Sequence, residues 1–431
     1  MVNESIVLLG PSILDGSVRA PPSKSYSHRA FFASLLARGE STIVNPLWSN
    51  DTATSLAAIR ALGAQARRID NALRVVSDGA RGLRWAPVIY VAESGTTMRL
   101  VTALLGLLDK PVLVYGRGRI HERPVKGLLE ALGSLGAEYI VSRGCCPPHV
   151  VKGPVRGSHV KVDARESSQY VSALLMLGAG LGELDITVTN LESKPYVDIT
   201  IRVLEAYGVS VEREDYRWFH VVGEPVPVTY VVPGDWSSAA ALLAAGAVAG
   251  HVRVEGLDPA DPQPDKAITY ILRSMGAGIR VRENYAEAWS TGRLEGFETR
   301  IQDYPDLGPV LAALAAIACG YSRICCAERL RLKESDRVEA ILDLMRRSGV
   351  DSWLEEGDKG LCIVVRGACG RLRGGVVYDV HGDHRVAMAA AILGLASAGE
   401  TVIRNPGVVA KSFPGFWDAL KKLGARIVEE K

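Results

Sequence analysis

A helix-like apolar segment that closes on glycine followed by Ala or Val recurs six times along this chain, as AIRALGA, LGSLGAE, VLEAYGV, ILRSMGA, LMRRSGV and ALKKLGA. The six glycines, Gly63, Gly136, Gly208, Gly276, Gly349 and Gly424, lie 73, 72, 68, 73 and 75 residues apart. So regular a period is a strong constraint, because each repeat then has to be one supersecondary unit. Apolar residues precede each glycine at helical spacing, as in Leu128, Leu132 and Leu135 or Phe416, Leu420 and Leu423. Glycine at the end of such a run predicts a left-handed residue just past the helix, with a strand following.

A second series runs in antiphase. Apolar helix, breaker and β-branched strand recur in LLARGESTIV, LGLLDKPVLV, GAGLGELDITV, GAVAGHVRV, AIACGYSRI and ASAGETVI. Its anchors Gly39, Lys110, Gly182, Gly250, Gly320 and Gly399 are 71, 72, 68, 70 and 79 residues apart, with Lys110 standing in for one glycine. The simplest reading is six α/β units, each with two helices and several strands. Solenoid repeats run roughly 20 to 50 residues, too short for this period. A chain of 431 residues also exceeds one ordinary core, so the units divide as three plus three.

Pro and Gly interrupt a strand-like run in YVVPGDWSS, residues 230–238, which marks a crossover before the fourth unit. The opening SIVLLGPS precedes the first unit and is expected to pair with the second domain. This assigns residues 15–232 to a first domain and residues 1–14 with 233–431 to a second. A double linker is expected near 14–20 and 230–235.

The net charge of +2 gives no overall bias toward nucleic acid or a membrane surface. The apolar runs SAAALLAAGAVAG and LGPVLAALAAIACG fall short of the about 18 residues that a membrane span needs. The first fifteen residues lack a basic region, a long apolar core and a cleavage pattern, so a cytoplasmic protein is expected. Seven cysteines include the adjacent pairs Cys145, Cys146 and Cys325, Cys326, with no C-x-x-C and no zinc spacing. An odd count without a framework predicts reduced structural thiols, with neither disulfide nor metal roles.

Chemistry collects where the apolar helices begin: SKSYSHR, ESGTTMR, ESSQY, GDWSS, DYPDLG and GDHR. Capping residues, unpaired N–H groups and the positive end of the helix dipole make such starts suited to carboxylates and phosphates. In PPSKSYSHRA, Ser25 or Ser27 is a candidate N-cap beside Lys24, His28 and Arg29. Beside such turns lie Lys24, Arg29, Arg99, Arg123, Lys333, Arg337, Arg385 and Lys411. Each alone reads as a solvated surface cation. Eight at equivalent seams read as anion sites for planar forks and mobile point charges. Among them stand Asp306, Glu334, Asp336 and Asp383. Asp336 and Asp383 fit as helix caps, whereas Asp306 and Glu334 are candidate acid or base groups facing a hydroxyl. There is no phosphate-binding P-loop, no G-x-S-x-G elbow and no H-E-x-x-H.

Nine segments together resemble the 5-enolpyruvylshikimate-3-phosphate synthase family of enolpyruvyl transferases. They are PPSKSYSHRA, ESGTTMRL, ERPVKGLLEAL, ESSQYVSALLM, SKPYVDIT, YPDLGPVLAALA, RLKESDRV, GDHRVAMA and AKSFPGFWDAL, in order from about residue 21 to 420. KESDR and S-K-S-x-S-H-R are the specific ones. The resemblance implies a two-domain inside-out α/β barrel, the enolpyruvyl transferase fold, with six βαβαββ repeats, three per domain, and an active site in the interdomain cleft. It also implies transfer of the enolpyruvyl group of phosphoenolpyruvate to the 5-hydroxyl of shikimate 3-phosphate with release of phosphate, the sixth step toward chorismate. No metal and no organic cofactor are implied. Small-molecule substrates, no nucleic acid, no membrane and a monomer are expected.

By the same resemblance, shikimate 3-phosphate is held by Lys24, Ser25, Arg29, Ser167, Ser168, Gln169, Ser193, Asp306 and Lys333, with Tyr196 alongside. Phosphoenolpyruvate is held by Lys24, Gly95, Arg123, Gln169, Arg337, Arg385 and Lys411. Asp306 takes the hydroxyl proton, Glu334 handles the proton at the methylene carbon, and Lys24 completes the catalytic set. Two residues depart from the family pattern. Glu93 stands where Asn is common, and its carboxylate would repel an anion unless it turns away or pairs. Arg329 stands where some members place Asn, which puts that shikimate contact in doubt.

Two rivals make different expectations. The sister enzyme that acts on UDP-N-acetylglucosamine carries a cysteine on a first-domain loop, and the corresponding YGRGRIHERPV has none. An RNA-binding scaffold would spread cations over an exposed face with aromatic platforms, whereas only 6% of this chain is aromatic.

Overall fold

The computed structural model describes residues 6–370 and 372–430. The chain divides into two units, Pro22–Pro233 and a split unit of Met1–Pro21 with Gly234–Lys431. Among the described residues there are six four-stranded sheets, three in each unit. Every sheet has one parallel strand pair and two antiparallel ones. In the 22–233 unit, for example, Val88–Tyr90 runs parallel to Val112–Tyr115, then Cys146–Lys152 and Glu138–Ser142 follow antiparallel. A parallel pair requires a crossover. Here it is the helix Gly95–Leu104, and Gln169–Leu181 does the same between His159–Asp163 and Glu183–Thr189.

The repeats close on themselves by borrowing strands from the far end of the unit. Thr229–Val231 supplies the parallel partner of Arg38–Val44. In the split unit Leu14–Arg19 pairs parallel with Gly250–Glu255, and Ile6–Leu9 lies antiparallel between Thr401–Arg404 and Ile427–Glu430. The strand 14–19 thus spans the expected 14/15 boundary, and the chain changes unit at Pro21/Pro22 and again at Pro233/Gly234.

Each unit has three inner helices. Lys24–Leu36, Gly95–Leu104 and Gln169–Leu181 are buried over nearly their whole surface, as are Trp236–Ala249, Gly308–Ile317 and His384–Leu395 in the split unit. Helices apolar all round belong inside a core. The sheets cover them, burying alternate residues such as Leu73, Val75 and Ser77 of Ala72–Asp78. No helix among the described residues is long and apolar enough to cross a membrane.

The periodic glycines occupy the conformation their position predicts. Gly63, Gly136, Gly208, Gly276, Gly349 and Gly424 all have φ between 72° and 108°. Gly39, Gly182, Gly250 and Gly320 of the second series are also positive, whereas Gly399 is not among the positive-φ residues. Gly136 isolates the backbone effect, since nothing lies within 4 Å of where a methyl group would sit. Gly136→Ala is expected to lower stability by about 1–2 kcal/mol through the left-handed backbone alone. Urea unfolding measures it, and an unchanged midpoint would remove the argument.

Two expectations need correction. The cysteines are not all thiols: Cys145 pairs with Cys146, Cys319 with Cys369 and Cys325 with Cys362, leaving Cys326 as a thiol. Antiparallel pairing of Tyr321–Cys325 with Gly360–Arg366 brings Cys325 and Cys362 together although 37 residues separate them, which no spacing rule reveals. Neither Ser25 nor Ser27 caps the first helix. Ser23 is its N-cap, without a side-chain bond, and Ser27 Oγ donates to the Ser23 carbonyl at 2.8 Å while accepting from Leu47 N at 2.9 Å.

Candidate active site

In the 22–233 unit, the starts of the three inner helices are tied together by side chains. Arg29, on the first helix, is 2% exposed and bonds Thr200 Oγ1 at 2.6 Å, the Ser25 carbonyl at 3.0 Å, Ser172 Oγ at 3.2 Å and the Tyr196 carbonyl at 3.0 Å. None of these acceptors carries a charge. Burial pulls the Arg29 guanidinium down to about 10, so it is still a cation at neutral pH. Gln169 links the other two starts, donating to Thr96 Oγ1 at 3.0 Å and accepting from Arg99 at 2.8 Å. Beside Thr96, Gly95 lies so close to the Arg123 guanidinium that a methyl group would collide with it.

Ser167, Ser168 and Ser193 are all buried. Ser167 Oγ accepts from Gln169 N at 3.2 Å, and Ser168 caps the helix without a side-chain bond. Lys24 forms an ion pair with Asp51 at 3.0 Å. The Glu93 carboxylate packs on Gly118, where a methyl group would strike it, against the loop that leads to Arg123.

The split unit gathers the carboxylates. Asp306 Oδ1 lies 3.0 Å from Lys333 Nζ and 2.8 Å from an Arg337 terminal nitrogen. Arg337 also bonds Glu334 at 2.9 Å and Asp383 at 2.8 and 3.3 Å. Four of its five N–H groups are thereby directed at carboxylates, leaving one on NH1. Burial opposes the Arg337 charge, but Asp383, Glu334 and Asp306 outweigh it and raise its pKa well above the ordinary value. Burial lowers Lys333, with Asp306 working against that shift and the Arg337 and Arg329 charges reinforcing it.

Asp336 and Asp383 both cap helices, as their positions predict. Asp336 Oδ1 accepts from Val338 N and Glu339 N, and Asp383 Oδ1 from Arg385 N at 2.8 Å. The further role of Asp383, as the buried counter-charge of Arg337, carried no sequence signal because 46 residues separate them. Asp51 was also missed, although an acidic residue in the first turn of a helix capped by Ser49 was readable.

Arg385 is the outlier. It is 2% exposed, and among the described residues its guanidinium has neither a hydrogen bond nor an ion pair, with Nε fully enclosed. Only Nε is fully enclosed, and a largely buried cation without a counter-charge can take an anionic ligand on its terminal nitrogens. Just before Arg385 in the chain, the Gly382 carbonyl accepts from Lys411 at 2.9 Å, and the Ser412 hydroxyl next to Lys411 is buried without a partner.

Comparison with known proteins gives a consistent picture. A family model described as EPSP synthase (3-phosphoshikimate 1-carboxyvinyltransferase) matches residues 8–420. The chain is 45% identical over 421 residues to the 3-phosphoshikimate 1-carboxyvinyltransferase of Aeropyrum pernix, covering 98% of this chain and 96% of the relative. It is 43% identical over 416 residues to that of Thermococcus kodakarensis, covering 95% and 97%. Among solved structures, EPSP synthase from Acinetobacter baumannii superposes with a TM-score of 0.82 at 26% identity over 100% of both chains. The enolpyruvyl transferase NikO from Streptomyces tendae shares the fold, with a TM-score of 0.78 at 20% identity over 99% of both chains.

Proposed function

The chain belongs to the EPSP synthase (3-phosphoshikimate 1-carboxyvinyltransferase) family, and from that premise we infer how its own residues serve enolpyruvyl transfer in the shikimate pathway. The enzyme is a transferase that moves the enolpyruvyl group of phosphoenolpyruvate to the 5-hydroxyl of shikimate 3-phosphate and releases phosphate. The observation that carries the reading of the site is the buried, unpartnered guanidinium of Arg385. Arg29 supports it, as a second buried cation whose hydrogen bonds all go to uncharged oxygens. Both substrates carry a carboxylate and a phosphate, the ligand class such side chains recognise bidentately.

Shikimate 3-phosphate is assigned to Lys24, Ser25, Arg29, Ser167, Ser168, Gln169 and Ser193, with Asp306 and Lys333 at its hydroxyls. Phosphoenolpyruvate is assigned to Lys24, Gly95, Arg123, Gln169, Arg385 and Lys411. Arg337 joins this second set only through its one uncommitted N–H, and its larger task is to orient Asp306 and Glu334. The reading requires both sets to act on one substrate pair.

Chemically, the step is addition followed by elimination. The methylene carbon of phosphoenolpyruvate takes a proton, and the adjacent carbon becomes electrophilic. The 5-hydroxyl oxygen attacks it while losing its own proton to Asp306. The tetrahedral intermediate then expels phosphate as the new methyl group gives a proton back, so no net proton is consumed. Glu334 and Lys24 are the groups assigned to the methylene proton. Fixed cations stabilise the intermediate and the leaving phosphate without reorganisation.

The test is phosphate release from phosphoenolpyruvate by the purified protein, with shikimate 3-phosphate or UDP-N-acetylglucosamine as acceptor. Release with shikimate 3-phosphate alone is expected. Release with the sugar nucleotide alone would transfer the chain to the sister activity.

A further inference from the structure

Four side chains in the 22–233 unit form a hydrogen-bonded line that the substrate assignment leaves unused. His28 Nδ1 lies 2.7 Å from Ser55 Oγ, Ser55 Oγ 2.7 Å from Thr97 Oγ1, and Thr97 Oγ1 2.7 Å from Ser94 Oγ. Ser94 Oγ also accepts from Thr97 N at 3.2 Å, which caps the helix Gly95–Leu104. All four residues are buried. The line starts on the helix that carries Lys24 and Arg29, crosses the helix Asn50–Ala61 and ends beside Gly95.

Counting protons gives the line a direction. Burial first, then the Lys24 and Arg29 charges, holds the His28 pKa well below its ordinary value, so the imidazole is neutral and carries one N–H. With three hydroxyls the line has four protons for three links, and one donor is always left over. If the hydroxyls donate toward His28, the surplus is an Nε2–H, and that atom is enclosed with no partner. A surplus on Ser55 or Thr97 is equally stranded, and an unpaired buried donor costs about 1–3 kcal/mol. If His28 donates from Nδ1, every link is filled and the surplus is the Ser94 hydroxyl proton, at the helix start where an anion is expected. His28 Nε2 is then a bare lone pair, a smaller penalty than an orphaned N–H.

We propose that this line presents the Ser94 hydroxyl as a donor to bound phosphoenolpyruvate, with His28, Ser55 and Thr97 as positioning residues that set its direction. The inference rests on the assignment of phosphoenolpyruvate to the Gly95 helix start. It adds a substrate contact, Ser94, outside the set assigned above, and gives His28 a task in the reaction rather than in the core alone.

Six variants test it by steady-state kinetics. Ser55→Ala cuts the line at a distance from substrate and leaves the Ser94 cap intact. It is expected to raise the KM for phosphoenolpyruvate about threefold to tenfold, with kcat and the KM for shikimate 3-phosphate within about twofold of wild type. His28→Asn keeps an N–H near the Nδ1 position and should stay close to wild type, whereas His28→Leu should behave like Ser55→Ala. Ser94→Ala should raise the same KM about tenfold or more, and Ser94→Thr, which keeps both hydroxyl and cap, should restore it. Equal rises in both KM values, or lower thermal stability with the phosphoenolpyruvate KM unchanged, would overturn the proposal. If Arg385→Lys raises that KM while Ser55→Ala and Ser94→Ala do not, only the line falls. A wild-type protein inactive with these two substrates would bring down the site assignment and the proposal together.

Discussion

Asp306→Asn is expected to lower kcat by about a hundredfold to ten-thousandfold, the usual worth of a positioned general base. Asparagine preserves the shape of the side chain but cannot take the hydroxyl proton. The fold should survive, because Arg337 keeps Asp383 and Glu334 as partners after the bond to Asp306 is weakened. Lys333 loses its carboxylate at 3.0 Å, so a modest rise in the KM for shikimate 3-phosphate should accompany the fall in kcat. Initial rates of phosphate release, read beside thermal unfolding, separate the two effects. If kcat stays within about threefold of wild type, Asp306 only holds Lys333 and Arg337 in place and the proton goes elsewhere.

Asp383→Ala is expected to cost about 3–5 kcal/mol of stability, the range for breaking a buried ion pair by removing one partner. Asp383 is fully buried. Its oxygens accept from Arg337, from Ser335 Oγ at 3.1 Å and from Arg385 N at 2.8 Å. The variant therefore removes the most deeply buried of three counter-charges on Arg337 and uncaps a helix in one change. Thermal unfolding measures the loss, and a shift within about 1 kcal/mol would mean that Glu334 and Asp306 neutralise Arg337 unaided.

The pH dependence has a defined sign. Burial alone would raise the Asp383 pKa, but Arg337 and then His384 overcome it, so the folded value lies below the unfolded one. The stability this carboxylate contributes is present above the unfolded pKa of about 3.9 and is lost as pH falls toward the folded value. Asp383→Ala should therefore flatten the acid limb of the stability profile.

Several features are readable in the sequence itself. Gly63 through Gly424 could be placed as residues past helix ends because a left-handed backbone strongly favours glycine, so the requirement leaves a mark at one position. The caps Asp336 and Asp383 were readable for a similar reason, since a cap bonds the backbone two or three residues on. Pairing at long range left no such mark. Cys325 and Cys362 meet only because two strands align, and the cap expected at Ser25 or Ser27 falls at Ser23 because the helix starts earlier.

The same division runs through the candidate site. The list of cations was legible, because Arg and Lys beside helix starts stand out against a chain of balanced charge. Their differences were not. Arg337 spends four N–H groups on carboxylates, Arg29 bonds only uncharged oxygens, and Arg385 holds nothing. All three read alike as letters. Periodicity and local backbone demands act over a few residues, and so the repeat count, the helix ends and the clustering of charge lie open in the sequence. Which cation is neutralised and which is left without a counter-charge depends on desolvation and on partners as much as 171 residues away, as for Arg29 and Thr200. Those quantities exist only once the sheets have closed over the helices.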